Sequence, residues 1–230
     1  MKPYIICHMM ASVDGRIDCA MTEQIDSSNA YYDALEQLDC PTTIEGRVTV
    51  QMHFALPEPF VAASSEPIGC TSFHKATEGK PGYDVAIDTH GKLRWPANEQ
   101  YGQPLLVIAC EDCPKEYFDT LDRQGISWIA VGKNRIDLAK AMDMLNTEFG
   151  VERIALVGGG HINGAFLSEG LLDEVSLMIG PGIDGRKGMT AVFDGIDEPD
   201  RPATLLKLQS VKRMGDTVWM RYKIQESNSM

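Results

Sequence analysis

Positive charge is scarce in this 230-residue sequence: 21 lysines and arginines face 33 aspartates and glutamates, a formal net charge of −12. A surface of that sign repels a polyanion, which argues against general nucleic-acid binding and leaves only a local basic pocket open. Long apolar runs are also missing. None approaches the roughly 20 residues that a helix needs to cross a bilayer, so no membrane association is expected. The stretch Met1-Lys-Pro-Tyr-Ile-Ile-Cys-His8 shows no apolar run leading to a small-residue cleavage site, and the expected compartment is the cytoplasm. There are no internal repeats, heptads or low-complexity segments, and no Gly-Lys-Ser/Thr completes a Walker-type phosphate loop.

Cysteine is present but unorganised. Cys7, Cys19, Cys40, Cys70, Cys110 and Cys113 are scattered, and free thiols are the default in a reducing compartment. Cys110-Glu-Asp-Cys113 has C-x-x-C spacing. A structural zinc site would want a second pair, which is lacking, so no metal is expected. Pro114-Lys-Glu-Tyr-Phe118 reads as a first helical turn, so a redox pair stays open beside incidental thiols.

What the chain does have is Ile154-Ala-Leu-Val-Gly-Gly-Gly-His-Ile-Asn-Gly-Ala-Phe-Leu-Ser168. Apolar Ile154 to Val157, then Gly158, Gly159 and Gly160, then helically spaced Ile162, Ala165 and Phe166, predict a buried strand, a glycine turn and a helix start. The first N–H groups of a helix lack partners and its dipole is positive there, so this junction suits an anion. A tight turn without a ligand is the competing reading.

The rest alternates strands and helices. Tyr4 to Met10 predicts a strand, and Ala11-Ser-Val-Asp-Gly-Arg16 follows at its carboxyl end, presenting Ser12 and Asp14. Ser27 to Leu38 predicts a helix with Ser27 or Ser28 as cap and Tyr31, Leu35 and Leu38 on its apolar face. Pro41 to Val50 predicts a second strand, with Gly46 opening a turn or helix that carries Thr49. From Phe54 to Gly82 prolines and glycines break the pattern over a length that suggests a functional or oligomer-facing loop. Strands are expected at Tyr83 to Asp88, Leu105 to Ala109, Ser127 to Val131 and Leu171 to Ile179, and helices near Lys115 to Arg123 and Asp137 to Phe149. Leu205 to Lys212 and Val218 to Ile224 predict a closing β-hairpin. The length fits one α/β domain, residues 1–230.

Several of these motifs occur together and in order: Ala11-Ser-Val-Asp-Gly-Arg16, Gly46-Arg-Val-Thr49, Val85-Ala-Ile-Asp-Thr-His-Gly91, Val157-Gly-Gly-Gly160 with Asn163, Gly170-Leu-Leu-Asp-Glu174 and Ile179-Gly-Pro181. In this the chain resembles the riboflavin-biosynthesis pyrimidine reductases, the reductase half of bifunctional deaminase–reductases or free-standing enzymes. The resemblance spans about Lys2 to Ile224. It implies a dihydrofolate-reductase-like fold: a central mixed, mostly parallel sheet with flanking helices and a C-terminal antiparallel hairpin, usually as a homodimer. It implies NADPH as cofactor and reduction of the ribosyl C1′ of a phosphoribosylamino-pyrimidine.

Carried onto this sequence, the resemblance puts Gly158, Gly159, Gly160, His161, Ile162 and Asn163 at the dinucleotide phosphates. Thr49 and His53 would also contact the cofactor, with Met10 and Ala11 near the nicotinamide. Ser12 and Asp14 would line the catalytic site. Asp14 is the nearest carboxylate for the proton movement of ring opening, or else a turn-stabilising side chain. Ser12, Arg47, Gly158, Arg186 and Lys187 are the expected substrate contacts, the cations serving the ribose phosphate. The chain departs from the family in three ways. No His-x-Glu with Pro-Cys-x-x-Cys of a zinc deaminase is present, His53 stands where an Asp often follows the threonine, and Gly158 stands where two-domain members often carry a Glu. A reductase on another small heterocycle, folate included, and a non-catalytic nucleotide-binding protein are the alternatives.

Overall fold

A computed structural model of the chain describes residues 1–25, 29–77 and 82–225. In chain order its strands are β1 (Tyr4–Ala11), β2 (Thr42–Gly46), β3 (Ser72–His74), β4 (Asp84–Ile87), β5 (Glu99–Gln100), β6 (Gln103–Ala109), β7 (Ser127–Ala130), β8 (Arg153–Gly158), β9 (Glu174–Ile179), β10 (Leu206–Met214) and β11 (Thr217–Ile224). Its helices are α1 (Cys19–Ile25), α2 (Ala30–Gln37), α3 (Arg47–His53), α4 (Lys115–Gln124), α5 (Leu138–Thr147) and α6 (Gly160–Ser168). The expected class is observed: α/β, mostly parallel, with a C-terminal antiparallel pair. The chain forms two compact units, one of Met1–Pro3 with Pro41–Ile154 and one of Tyr4–Cys40 with Ala155–Met230.

In the first unit the strand order is β2-β4-β6-β7-β3. The first four run parallel, and β3 closes the edge antiparallel to β7. The apolar run of β6 is buried on both faces, as a parallel strand covered by helices must be. The proline-rich stretch after α3 is pinned rather than loose. Leu56 N donates to Arg94 O at 2.9 Å, Phe60 N to Lys92 O at 2.8 Å and Ile68 N to Cys113 O at 3.1 Å. Phe60 also packs edge-on against Tyr117, at 5.1 Å between ring centres. This segment is therefore a strap along its own unit that ends in β3. Gly79 and Pro81, part of the same expected loop, lie outside the described residues.

One buried feature of this unit was not visible in the sequence. Thr43 on β2 stands opposite Asp84 on β4, and its hydroxyl donates to the Asp84 carboxylate at 3.3 Å. Glu45, two residues on, shares that face of the strand. Burial pushes Glu45 up to about 7, with Asp84 adding to the shift, and burial pushes Asp84 up to about 6.

In the second unit the order is β10-β11-β9-β1-β8. β1 and β9 pair parallel, and β11 and β10 add antiparallel strands. The hairpin turns at Gly215, whose φ of 62° is open to glycine. On β1, Ile6 and Met10 pack with Met178 and Trp219 beneath Ala30 and Ala34 of α2 and Leu38 just past its end. The buried face of α2 is thus lined by small residues, and Tyr31 and Leu35 flank it only partly buried. Ser27 and Ser28, the expected caps, lie outside the described residues. Asn29 holds the cap position in the left-handed region, without a side-chain cap bond. The helix α1 was not expected from sequence.

His8 sits inside this core, with its ring stacked on Tyr31 at 4.6 Å. Its Nε2 lies 3.2 Å from the Tyr31 carbonyl, which can only accept, so that nitrogen carries the proton. Nδ1 then accepts from the Ser176 hydroxyl at 2.9 Å, and Ser176 in turn accepts from Trp219 Nε1 at 2.8 Å. Burial lowers the His8 pKa to about 4.

The two units titrate in opposite senses. The raised folded-state values of Glu45 and Asp84 give stability that is full below their ordinary values near 4 and lost as pH rises through about 6 to 7. The lowered value of His8 gives stability that is present above its ordinary 6.5 and lost as pH falls through about 4. Urea unfolding as a function of pH should show both flanks. Glu45→Gln should flatten the alkaline one and leave the acid one, and an unchanged alkaline flank would refute the assignment.

Candidate functional site

The second unit carries most of the expected site. Where β1 ends, Ser12 is fully buried and its hydroxyl is spent locally. It donates to Asp14 Oδ1 at 2.7 Å and accepts from Arg16 N at 3.1 Å. Asp14 also accepts from Asp184 N and Gly185 N, both at 2.9 Å. The Ser12 hydroxyl first, then these two backbone N–H groups, hold the Asp14 carboxyl well below the usual carboxylate range. It has no proton to give at neutral pH. Of the two roles open to Asp14, the bonding fits the turn-stabilising one: Asp14 clamps the turn after β1 to the 180–185 loop. Gly180 N to Ala11 O at 2.9 Å and Val13 N to Gly182 O at 2.8 Å complete the clamp.

Met10 and Ala11 are buried, and the Met10 side chain belongs to the apolar cluster under α2. Ala11 is fully buried and its carbonyl accepts from Gly180 N, so neither side chain is presented to a ligand.

The glycine turn forms as expected, with Gly158 ending β8 and α6 starting at Gly160. Gly159 caps the helix at φ 80° and ψ 144°, a conformation that suits glycine, and no side chain caps the first turn. Gly160 has a different reason. A Cβ there would lie 2.2 Å from Ala191 O and 2.6 Å from Thr190 Cγ2. At Gly164, one turn on, it would lie 2.0 Å from Asp194 O. The two bare Cα atoms let residues 190–194 run against the helix backbone. Asp194 N donates to Gly160 O at 3.0 Å, and the buried Asn163 donates from Nδ2 to Val192 O at 2.8 Å. His161 is exposed, with its ring over Gly195.

The expected phosphate residues therefore divide. The Asn163 side chain faces the 190–194 segment. The N–H groups at the start of α6, led by Gly159 and free of any side-chain cap, are the part that fits a pyrophosphate.

The expected cations divide as well. Arg186 grips Asp184 with Nε at 2.6 Å and Nη2 at 2.8 Å, and its Nη2 is 3.1 Å from Asp18. Two carboxylates thus already occupy it. Lys187 is exposed.

The profile of the RibD C-terminal domain family matches residues 3–220. The chain belongs to that family. It is 25% identical over 232 residues to the 2,5-diamino-6-ribosylamino-4(3H)-pyrimidinone 5′-phosphate reductase of Methanothermobacter thermautotrophicus, covering 98% of this chain and 100% of that one. It is 22% identical to the protein of the same name from Archaeoglobus fulgidus, over 94% of this chain and 95% of that one. In structure it is similar to a pyrimidine reductase-like protein of Corynebacterium diphtheriae, with a TM-score of 0.74 at 17% identity over 98% of this chain and 93% of that one. That last likeness concerns the fold.

The remaining expected residues of this RibD-family chain lie in the first unit. Thr49 is half-buried on α3, and Arg47 and His53 are exposed at its two ends. Cys110 and Cys113 are buried, and burial raises their thiols to about 11 and about 12. The Cys113 thiol donates to Thr89 O at 3.2 Å. Thiols so disfavoured as thiolates are poor redox nucleophiles, which favours the incidental reading.

Sequence reasoning missed the 190–194 segment, which has no motif of its own. The four-residue spacing of Gly160 and Gly164 was the available signal, since it puts both on one helix face. Gly164→Ala should cost about 1–3 kcal/mol through overpacking. Chemical denaturation would measure it, and a wild-type midpoint would show that the close approach is unimportant.

Proposed function

We propose that the protein is an NADPH-dependent reductase of the ribosyl group of a phosphoribosylamino-pyrimidine. Its substrate is then the 2,5-diamino-pyrimidinone 5′-phosphate or the 5-amino-uracil analogue. The observation that carries this is the start of α6, a glycine-led helix N-terminus without a side-chain cap in a chain of the RibD C-terminal domain family. The names of the two archaeal relatives support the diamino compound as the first to test.

When bound, the nicotinamide supplies a hydride to C1′ of the ribosyl group. As the sugar ring opens, O4′ leaves C1′ with the bonding pair and takes one proton. Substrate, hydride and proton together give the open ribityl chain. In this reading the N–H groups of Gly160, His161 and Ile162 hold the cofactor phosphates. Ser12 and Asp14 fix the turn after β1, and the proton comes from a group other than Asp14. Positioning supplies most of the rate.

The reading treats residues 1–230 as one reductase domain acting in the cytoplasm as a homodimer. β10, at a sheet edge with Leu206, Leu208 and Val211 exposed at 40%, 51% and 58%, supports self-association.

NADPH fluorescence should be quenched on mixing with the protein. NADPH absorbance should fall with the phosphoribosylamino-pyrimidine and stay level with dihydrofolate. Oxidation with dihydrofolate alone would move the protein to the other-heterocycle reading, and no quenching at about millimolar NADPH would sink both.

A further inference from the structure

Arg16 ends the Ser-x-Asp-Gly-Arg motif, and its backbone is fully engaged. Its N–H donates to the Ser12 hydroxyl, its carbonyl accepts from Ser12 N at 2.9 Å, and it bridges to Ala191 across the chain. The half-buried side chain reaches along the same segment, where Nη1 donates to Met189 O at 2.6 Å. There the bonding stops. Nε is shut off from solvent with no hydrogen-bond partner. Nη2 makes no hydrogen bond, and no carboxylate pairs with this guanidinium, among the described residues.

This is unusual in a chain of net charge −12. The other arginines of the second unit are matched: Arg186 by Asp184 and Asp18, Arg201 by Glu198, Arg213 by Asp216 and Arg221 by Glu174. Sheltering a cation from water without a counter-charge is costly, and leaving its N–H unpaired adds to the cost. The free groups are also not a random pair. Nε–H and Nη2–H lie parallel on one edge of the guanidinium, the fork that takes two oxygens of an oxyanion. The bond to Met189 O holds the planar group by its opposite corner and leaves the Nε–Nη2 edge unpaired. Residues 190 and 191, next along, are those that pack on Gly160 at the start of α6.

We propose that the Nε–Nη2 edge of Arg16 binds a phosphate monoester. Arg186, one of the cations expected for that task from sequence beside Arg47 and Lys187, is already committed to carboxylates. Two sources carry the chemistry, the 5′-phosphate of the ribosyl substrate and the 2′-phosphate that distinguishes NADPH from NADH. Only this choice rests on the reductase reading; the anion site stands on the unpaired guanidinium.

Calorimetric titration of the whole protein tests it without turnover. The probes are ribose 5-phosphate, ribose, NADPH and NADH, with wild type, Arg16→Met, Arg16→Lys and Arg186→Met. Arg16→Met should weaken one phosphate-bearing probe about tenfold or more, the worth of a charge-assisted pair of hydrogen bonds, and leave its unphosphorylated partner unchanged. Loss confined to ribose 5-phosphate assigns the site to the substrate. Loss of the preference for NADPH over NADH assigns it to the cofactor. Arg16→Lys keeps the charge without the fork, should fall between, and decides the matter if Arg16→Met does not fold. Arg186→Met should bind as wild type.

Folded Arg16 variants that bind all four probes as wild type does would overturn the proposal, and so would equal weakening of ribose and ribose 5-phosphate. A protein that binds ribose 5-phosphate through Arg16 but reduces no pyrimidine would sink the reductase reading and leave this one standing.

Discussion

The second unit depends on one close approach, residues 190–194 lying against the backbone of α6 at Gly160 and Gly164. Peptide groups reach that distance only where no Cβ stands between them. Once the segment is seated, Asn163 bonds to Val192, Asp194 closes onto Gly160 O, and His161 covers Gly195. The same segment bonds backward through Thr190 and Ala191 to Ile17 and Arg16. The start of α6 and the turn after β1 are thus fixed through a stretch of chain that has no secondary structure of its own.

Electrostatics then decides which polar groups are left for ligands. Three hydrogen bonds favour the ionised form of Asp14, and two of them bind it to the 184–185 backbone. Arg186 is neutralised by two aspartates, and Glu174, itself buried, is matched by Arg221 at 2.5 Å. Side chains that look reactive in the sequence are mostly satisfied by one another. Among the described residues of the second unit, the buried side-chain atoms left without a partner are Arg16 Nε and Asn163 Oδ1, and no side chain caps the first turn of α6. Burial makes each unsatisfied group expensive, so these are the places where a bound molecule would contribute most.

Most of the fold was legible because its signals are local. The apolar runs of β6 and β8, the alternation of β11 and the Asp137 cap of α5, which accepts from Lys140 N at 2.9 Å, all act within a few residues. What failed to show depends on distant partners. The buried face of α2 is alanine, whose weak hydrophobic signal hides it behind Tyr31 and Leu35. The strap after α3 looked unstructured because its hydrogen bonds go to Lys92, Arg94 and Cys113.

The site was legible in outline and misleading in detail. A glycine-rich strand-to-helix junction names itself. That Gly159 serves a backbone angle while Gly160 serves packing depends on residues some thirty positions away. Glu45 gave no sign, since its environment comes from a neighbouring strand and from burial.

The Asp14 clamp has a consequence for how such motifs are read. Ser-x-Asp-Gly at the end of a first strand invites a chemical role, with a hydroxyl beside a carboxylate near an expected ligand. Here the pair behaves as a latch: the serine hydroxyl donates a hydrogen bond to the aspartate, and the aspartate accepts two more from a loop about 170 residues downstream. A latch must stay charged to hold, whereas an acid must lose and regain its proton in every cycle. Three donors favour the ionised form of Asp14, which suits the carboxylate to holding that loop in place.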